Sequence, residues 1–202
     1  MNARLAGWLA LLALAGCSAP TVPDFTWHRL PPPQPLPVQA SPWHEPVVVE
    51  AFAADGLYAD QALVYALDPQ ARELRQYHYQ MWADPPMRML QRRLAHMLRE
   101  AGLARTVSDE LPSSREAIRI RGSLLRMDRV PGADGAWQAL VVLKLRALAP
   151  DGHVLVDEIY HDEEAAGSSI RAVVDAYGTA IDRIFARFQA DLRAGHGAGD
   201  AG

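Results

Sequence analysis

With 202 residues, half of them hydrophobic, and a net charge of −4, the chain has material for one hydrophobic core and not comfortably for two. The slight acidity argues against a nucleic-acid partner, which calls for a basic face. Basic residues are nearly all arginine, with Lys144 the single lysine; this reads as codon usage in a GC-rich genome rather than as chemistry. Cys17 is the single cysteine, so the folded part holds together without disulfides.

Met1 to Arg4 is a short positive segment, and Leu5 to Gly16 is wholly apolar or small. That run falls short of the roughly 20 residues a spanning helix needs. A charged start, a short apolar run and small residues before a cut describe a secretory signal peptide over residues 1–16. Leu14-Ala15-Gly16-Cys17 resembles the lipobox of bacterial lipoproteins, in which the cysteine sulfur takes a diacylglycerol and its freed amine is then acylated. More than one acyl chain makes membrane attachment stable, at about 0.8 kcal/mol per buried carbon. Cys17 is therefore read as a lipid anchor. Ser18 follows it where an aspartate commonly retains lipoproteins in the inner membrane, which points to the outer membrane, periplasmic face. Residues 17–24 form the lipidated tether and 25–193 the folded domain. Residues 194–202, with His196 alone among glycines and alanines, have little to bury and read as a disordered tail.

Within the domain, Phe25, Trp27 and Arg29 alternate with Thr26, His28 and Leu30 as a first strand. The proline-rich segment 31–46 reads as an extended tether to the next one. Val47 to Phe52 and Gln61 to Leu67 are apolar strands separated by the Ala53–Asp60 loop, where Leu57 and Tyr58 are either exposed candidate partner contacts or tucked under the sheet edge. Leu74 to Trp82 alternates with aromatics and reads as a strand facing the core with Tyr77, Tyr79 and Met81. Then Asp84 reads as a helix N-cap and Pro85 as the first helical residue. Met87, Leu90, Leu94, Met97, Leu98 and Ala101 follow at helical spacing, and Gly102 is a stop. The Trp82-Ala83-Asp84-Pro85 corner is first of all a strand-to-helix joint. Arg88, Arg92 and Arg99 lie opposite the apolar stripe, on a solvated face that is also a candidate contact for an acidic partner or lipid headgroups.

Beyond a weaker stretch near Arg105 to Ser108, a three-strand meander runs from Glu116 to His161, with hairpin signals at Pro131–Gly135 and Pro150–Gly152. A closing helix carries Ile170, Val173, Val174, Tyr177, Ile181, Ile184, Phe185, Phe188 and Leu192 on one stripe, capped by Ser168 or Ser169. The expected fold is α+β: a mostly antiparallel sheet of about six or seven strands with two long amphipathic helices packed on one face.

Chemistry is sparse. His161 to Glu164 is the densest set of potential ligands, but neighbours on a strand point to opposite faces, and the segment reads as a solvated loop. His44 and Glu45 precede Pro46, which forbids the helix of a zinc-protease motif. No nucleophile elbow, P-loop or dinucleotide fingerprint is present. The expectation is no catalytic residue, no metal and no cofactor beyond the lipid on Cys17.

Taken with the lipobox, the segments "FTWHRLPPP", "VVVEAF", "GLYADQALVYAL", "YHYQMWADPP" and "MLQRRLAHML", and the closing amphipathic helix, look like one family. The chain resembles the ABC-type transport auxiliary lipoproteins, related to paraquat-inducible protein C. The family pattern is a tyrosine-rich strand running into a Trp-acid/Asp-Pro corner, here Trp82, Asp84 and Pro85, followed by a helix of regularly spaced leucines. The first strand departs from it, with phenylalanine and tryptophan in place of tyrosine. The resemblance implies an outer-membrane-anchored periplasmic adapter that docks an MCE-domain protein and, through it, an ABC permease and ATPase; some relatives assemble as homo-oligomeric rings. Two other readings stand beside it: a periplasmic lipid-binding lipoprotein with its own apolar pocket, and an envelope hydrolase.

Overall fold

The computed structural model describes residues 22–38, 43–110, 116–132 and 135–199; residues 1–16, read as a signal peptide, and Cys17 lie outside them. Nine strands and two α-helices follow in the order β1 (Thr26–His28), β2 (Val47–Val49), β3 (Ala53–Ala54), a 3-10 turn (Gly56–Ala59), β4 (Ala62–Ala66), β5 (Leu74–Trp82), α1 (Pro86–Glu100), β6 (Val107–Ser108), β7 (Ile118–Pro131), β8 (Trp137–Leu148), β9 (Val154–Ala166) and α2 (Ile170–Gly199).

The α+β class holds, but the sheet is mixed rather than mostly antiparallel, and it has nine strands rather than six or seven. β7 is its spine. On one flank β7, β8 and β9 form an antiparallel meander. On the other flank β2, β3 and β4 lie along β7 one after another, all parallel to it. These three short pieces act as one broken strand interrupted by the 3-10 turn. The chain then reverses through β5, which is antiparallel to β4, and crosses back through α1 before entering β7. A crossover of this kind makes β4 and β7 parallel, and strand alternation alone carries no record of it. β1 closes the sheet edge, parallel to β5, and β6 lies parallel to β2.

Inward positions on β8, Ala139, Val141, Leu143, Leu145 and Ala147, are fully buried, as their alternation predicts. They meet the apolar stripe of α2, from Val173 to Leu192, and α1 adds Leu90, Leu94, Met97 and Leu98 to the same core. A bulge between Leu124 and Arg126 re-aims β7, leaving Leu125 exposed. Phe52 packs over the strand at Gly122, where a β-carbon would run into its ring.

Helix ends follow local chemistry with one shift. Pro85, not Asp84, occupies the N-cap of α1, and Pro86 opens the helix, with no side-chain cap hydrogen bond. Pro86 can donate no amide and favours an extended residue before it, so it moves the boundary one residue on. At the other end Gly102 takes φ 64°. Its amide donates to Arg99 O at 3.0 Å and that of Leu103 to Leu98 O at 3.1 Å, a Schellman closure over two buried leucines. On α2, Ser169 Oγ accepts from the Ala172 amide at 3.2 Å, as expected of a cap.

Three other expectations change. Ala194 to Gly199 continue α2 as helix, where the composition suggested disorder; propagating an existing helix fixes one residue per bond, without the cost of a new nucleus. His161 to Glu164 lie within β9 rather than in a loop. On β5, a register shift against β4, between the Ala62 and Val64 pairings, breaks the alternation. Trp82 is buried at 2% exposure, although it shares sequence parity with the exposed His78.

Candidate functional site

The strand-to-helix corner is tied from three sides. The Trp82 amide donates to Gln61 O at 2.6 Å and the Ala83 amide to His28 O at 2.8 Å, while Gln61 Nε2 donates to Trp82 O at 3.2 Å. The Trp82 indole meets the Tyr177 ring of α2 edge-on, centroids 5.8 Å apart. Trp82 is a packing residue, and Asp84 and Pro85 shape the joint beside it.

Next to the corner lies a feature the sequence reading missed. Arg93 of α1 donates to Asp182 of α2 through Nε at 2.7 Å and Nη2 at 2.8 Å; this fork pair is almost completely buried. The third arm of Arg93, Nη1, donates to Pro31 O at 2.6 Å, and the Gln34 amide donates to Asp182 Oδ2 at 2.8 Å. Pro31 sits against Gly178, where a β-carbon would come within 2.5 Å of its Cγ, and Leu36 is buried. The proline-rich segment is thus a strap bound to both helices over residues 31–36, not a free tether. The signal in the sequence was one charge of each sign inside an apolar stripe: Arg93 beside Leu94, and Asp182 beside Ile181.

Tyr58, open between an exposed anchor and a tucked position, takes the second and donates its hydroxyl to Asp128 Oδ1 at 2.5 Å. Asp128 is fully buried and also accepts from Arg126 Nε at 2.8 Å. Burial, and after it the Asp128 carboxylate, push the Tyr58 hydroxyl well above its ordinary pKa. Leu57 remains exposed at 36%. On the neighbouring β7 residue, Arg129 donates to the Tyr77 hydroxyl and to Ser168 O and covers the Trp137 ring at 3.7 Å. These contacts brace the sheet and are closed to a ligand.

Of the three outer arginines of α1, Arg88 and Arg92 are exposed and make no ion pair with another described residue. Arg99 is also exposed, but its Nε and Nη2 donate to Val107 O at 3.2 and 3.0 Å, bracing β6. The acidic run at His161 forms a seam against α2: Arg183 bridges Asp162 and Glu164, and Arg187 reaches Asp162. Hydrogen bonds donated to Asp162 and Glu164 raise the Arg183 pKa above its ordinary value despite some burial. Among the described residues no group of His, Cys, Asp and Glu is placed to hold a metal ion. No helix there is long and apolar enough to cross a membrane.

One open feature lies at the β1 edge. Phe25 is 58% and Trp27 55% exposed, and Phe25 meets Tyr79 edge-on at 5.5 Å. Beside them, a groove of about 510 Å³ runs between β1, the start of the strap and the first turns of α2, with Arg29, Arg171 and Asp175 in its wall.

Comparison with known proteins places this arrangement. The fold is similar to that of a DUF330 family protein from Xanthomonas campestris, at 17% identity and TM-score 0.73, covering 87% of this chain and 99% of that one. A second solved structure, described as an uncharacterized protein, matches at 14% identity and TM-score 0.60, covering 85% and 98%. No protein of curated function matches the sequence. The ABC-type transport auxiliary lipoprotein component family matches residues 28–187, from the end of β1 to Arg187 in the α2 seam. The chain belongs to that family.

Proposed function

We propose that this chain is the outer-membrane-anchored periplasmic adapter of an MCE-type ABC lipid-transport system, held by lipid on Cys17 and docking the MCE-domain subunit through its folded surface. The observation that carries this reading is the family match across residues 28–187, which takes in the strand-to-helix corner, α1, the whole meander and α2 as far as Arg187. Catalysis belongs to the ATPase in this scheme; the adapter contributes position and recognition. Trp82 is buried and Tyr58 engaged with Asp128, so they hold the frame. Leu57, Arg88 and Arg92 are the exposed candidates to touch the partner, and a ring of copies would repeat that surface around an axis.

A pull-down of purified MCE protein by the mature lipoprotein in detergent, with chelator present, tests the reading. Capture without metal or nucleotide is expected. The Arg88→Glu, Arg92→Glu pair should weaken capture while leaving the melt unchanged. Trp82→Ala should lower both together, by about 3–5 kcal/mol of stability for a buried ring. Capture that requires metal or nucleotide, or no capture by wild type at all, refutes the adapter role. Sedimentation of the same preparation reads ring formation.

A further inference from the structure

The aromatic edge at β1 has no role in the frame and sits close in sequence to the lipid-bearing residue. Val22, Phe25 and Trp27 are 75%, 58% and 55% exposed, a concentration of large apolar surface at one end of the fold. Eight residues separate Cys17 from Phe25, so even a fully extended chain reaches under about 30 Å. The 30-residue α2 is itself about 45 Å long. With a lipid on Cys17, the β1 end of the domain therefore stays within about 30 Å of the membrane, closer than the length of α2.

Chemistry on that end matches a bilayer interface. Tryptophan and phenylalanine beside polar groups are stable at headgroup depth, where one edge is apolar and the other wet. Arg29 and Arg171 flank Trp27 across the groove, both exposed. Neither has a hydrogen bond or ion pair with another described residue, whereas Arg93, Arg119, Arg121, Arg126, Arg183 and Arg187 are all paired. Two unpaired guanidinium groups can each take a phosphate oxygen. The nearby acids, Asp24 and Asp175, are exposed and stay in water.

We infer that Phe25 and Trp27 seat in the periplasmic leaflet of the membrane that holds Cys17, with Arg29 and Arg171 on its headgroup phosphates, so that the domain stands in one orientation rather than swinging on its tether. This rests on the lipid-anchor reading of Cys17 and adds a second, non-covalent contact. Three attachments, one covalent and two through side chains, fix the tilt of the opposite end, where a partner would dock.

The test uses the full mature lipoprotein in phosphatidylethanolamine–phosphatidylglycerol vesicles, with acylation of Cys17 checked by mass spectrometry. Wild type and Trp27→Phe share Trp43, Trp82 and Trp137, so the fluorescence difference between them reports Trp27. Shallow brominated lipids are expected to quench that difference signal by at least half, and aqueous acrylamide to quench it several-fold less than free tryptophan. Arg29→Glu with Arg171→Glu should reduce the bromolipid effect. Trp27 open to acrylamide on a protein whose Cys17 carries acyl chains overturns the inference and leaves the anchor standing. Trp27 shielded from both quenchers marks a protein occupant, a second copy or a partner, and equally overturns it. An unacylated Cys17 removes the anchor and the inference together.

Discussion

The meander side of the molecule and the strap side are built on different terms. From β7 to α2, neighbours in space are neighbours in sequence: two long hairpins and a helix that returns over them. Alternation there holds over long stretches and is broken at the Leu124–Arg126 bulge, and the β8–β9 turn carries its own signal, with Gly152 at φ 89° after Asp151. On the other flank, β2, β3 and β4 are two to five residues long and pair with a strand more than sixty positions away. They are held by side-chain locks between distant segments: Arg93 to Asp182 and Pro31, Tyr58 to Asp128, and Glu50 to Arg119 and Arg121. Local pattern specifies the first region, and long-range polar contact specifies the second. Both feed one core, because Leu94 and Phe188 belong to the same buried cluster.

That shared core gives the largest expected effect. Leu143 on β8 is fully buried, and an unpaired carboxylate there costs several kcal/mol against a total of about 5–15. Leu143→Asp should abolish cooperative melting of the whole domain. If hydrogen exchange still protected α1 and β2, the two regions would be separate folding units and the single core would be wrong.

Cutting the lock comes next. Asp182→Ala leaves Arg93 charged and buried at 8% exposure, a loss of about 3–5 kcal/mol. Replacing both partners, Arg93→Met with Asp182→Leu, should recover most of it, since an apolar pair needs no compensating charge. The Gln34 amide, which donates to Asp182, should exchange faster in both variants. Slow exchange at Gln34 without Asp182 would show that proline geometry, rather than the ion pair, holds the strap.

The contrast also explains what could be read in advance. The boundaries of β5 were readable because alternation and a following Pro-Pro bracket them. The α2 stripe was readable because Ile170 to Leu192 keeps helical spacing over six turns. The parallel run of β2, β3 and β4 was not, since register along β7 depends on the α1 crossover and on Phe52 meeting Gly122, neither of which leaves a periodic trace. Of the candidate surface, Arg88 and Arg92 are exposed as expected, and Leu57 takes the exposed one of its two alternatives. Tyr58 takes the tucked one, which could not be chosen in advance because its partner, Asp128, lies seventy positions away. Cys17 is read from the small residues before it alone and lies outside the described residues.

Titration separates the regions more gently. Tyr58 on the strap side and Tyr160 on the meander side both have hydroxyl pKa values raised above the usual 10, by burial first and then by the carboxylates of Asp128 and Asp191. A raised folded pKa favours the protonated phenol, so its contribution is fully present below about pH 10. It is lost as pH climbs from there towards the folded values. Wild type should therefore lose melting temperature above pH 10 more steeply than a Tyr58→Phe, Tyr160→Phe double variant. At pH 7 the hydrogen bond removed with Tyr58 should cost about 1–3 kcal/mol, because the buried Asp128 loses a partner, and the one removed with Tyr160 about 0.5–1.5 kcal/mol, because Asp191 is exposed. Parallel pH profiles for the two proteins would mean that neither phenol is held neutral by its contacts.

The smallest net effect is the most specific to the strap. Gly178 lies inside α2, where glycine is less favourable than alanine by about 0.8–1.0 kcal/mol. Its backbone needs no positive φ, so conformational freedom does not explain it. Close approach does: a β-carbon would stand 2.5 Å from Pro31 Cγ and 2.9 Å from Pro31 Cδ, and the proline ring has no rotamer by which to retreat. Gly178→Ala should then gain helix stability and push Pro31 away, with the two terms nearly cancelling in a thermal melt. Displacing Pro31 moves its carbonyl off Arg93 Nη1, the acceptor at 2.6 Å, while the direct Arg93–Asp182 fork can persist. The readout is again the Gln34 amide, whose exchange should quicken several-fold although the melting temperature moves by only about 1–3 °C. Thr179→Ala, next to it on the exposed side of the same helix, is the control and should leave Gln34 untouched. If Gly178→Ala raised the melting temperature by the full helix-propensity gain with Gln34 still protected, the strap would have room to spare, and its hold on α2 would rest on the polar lock alone.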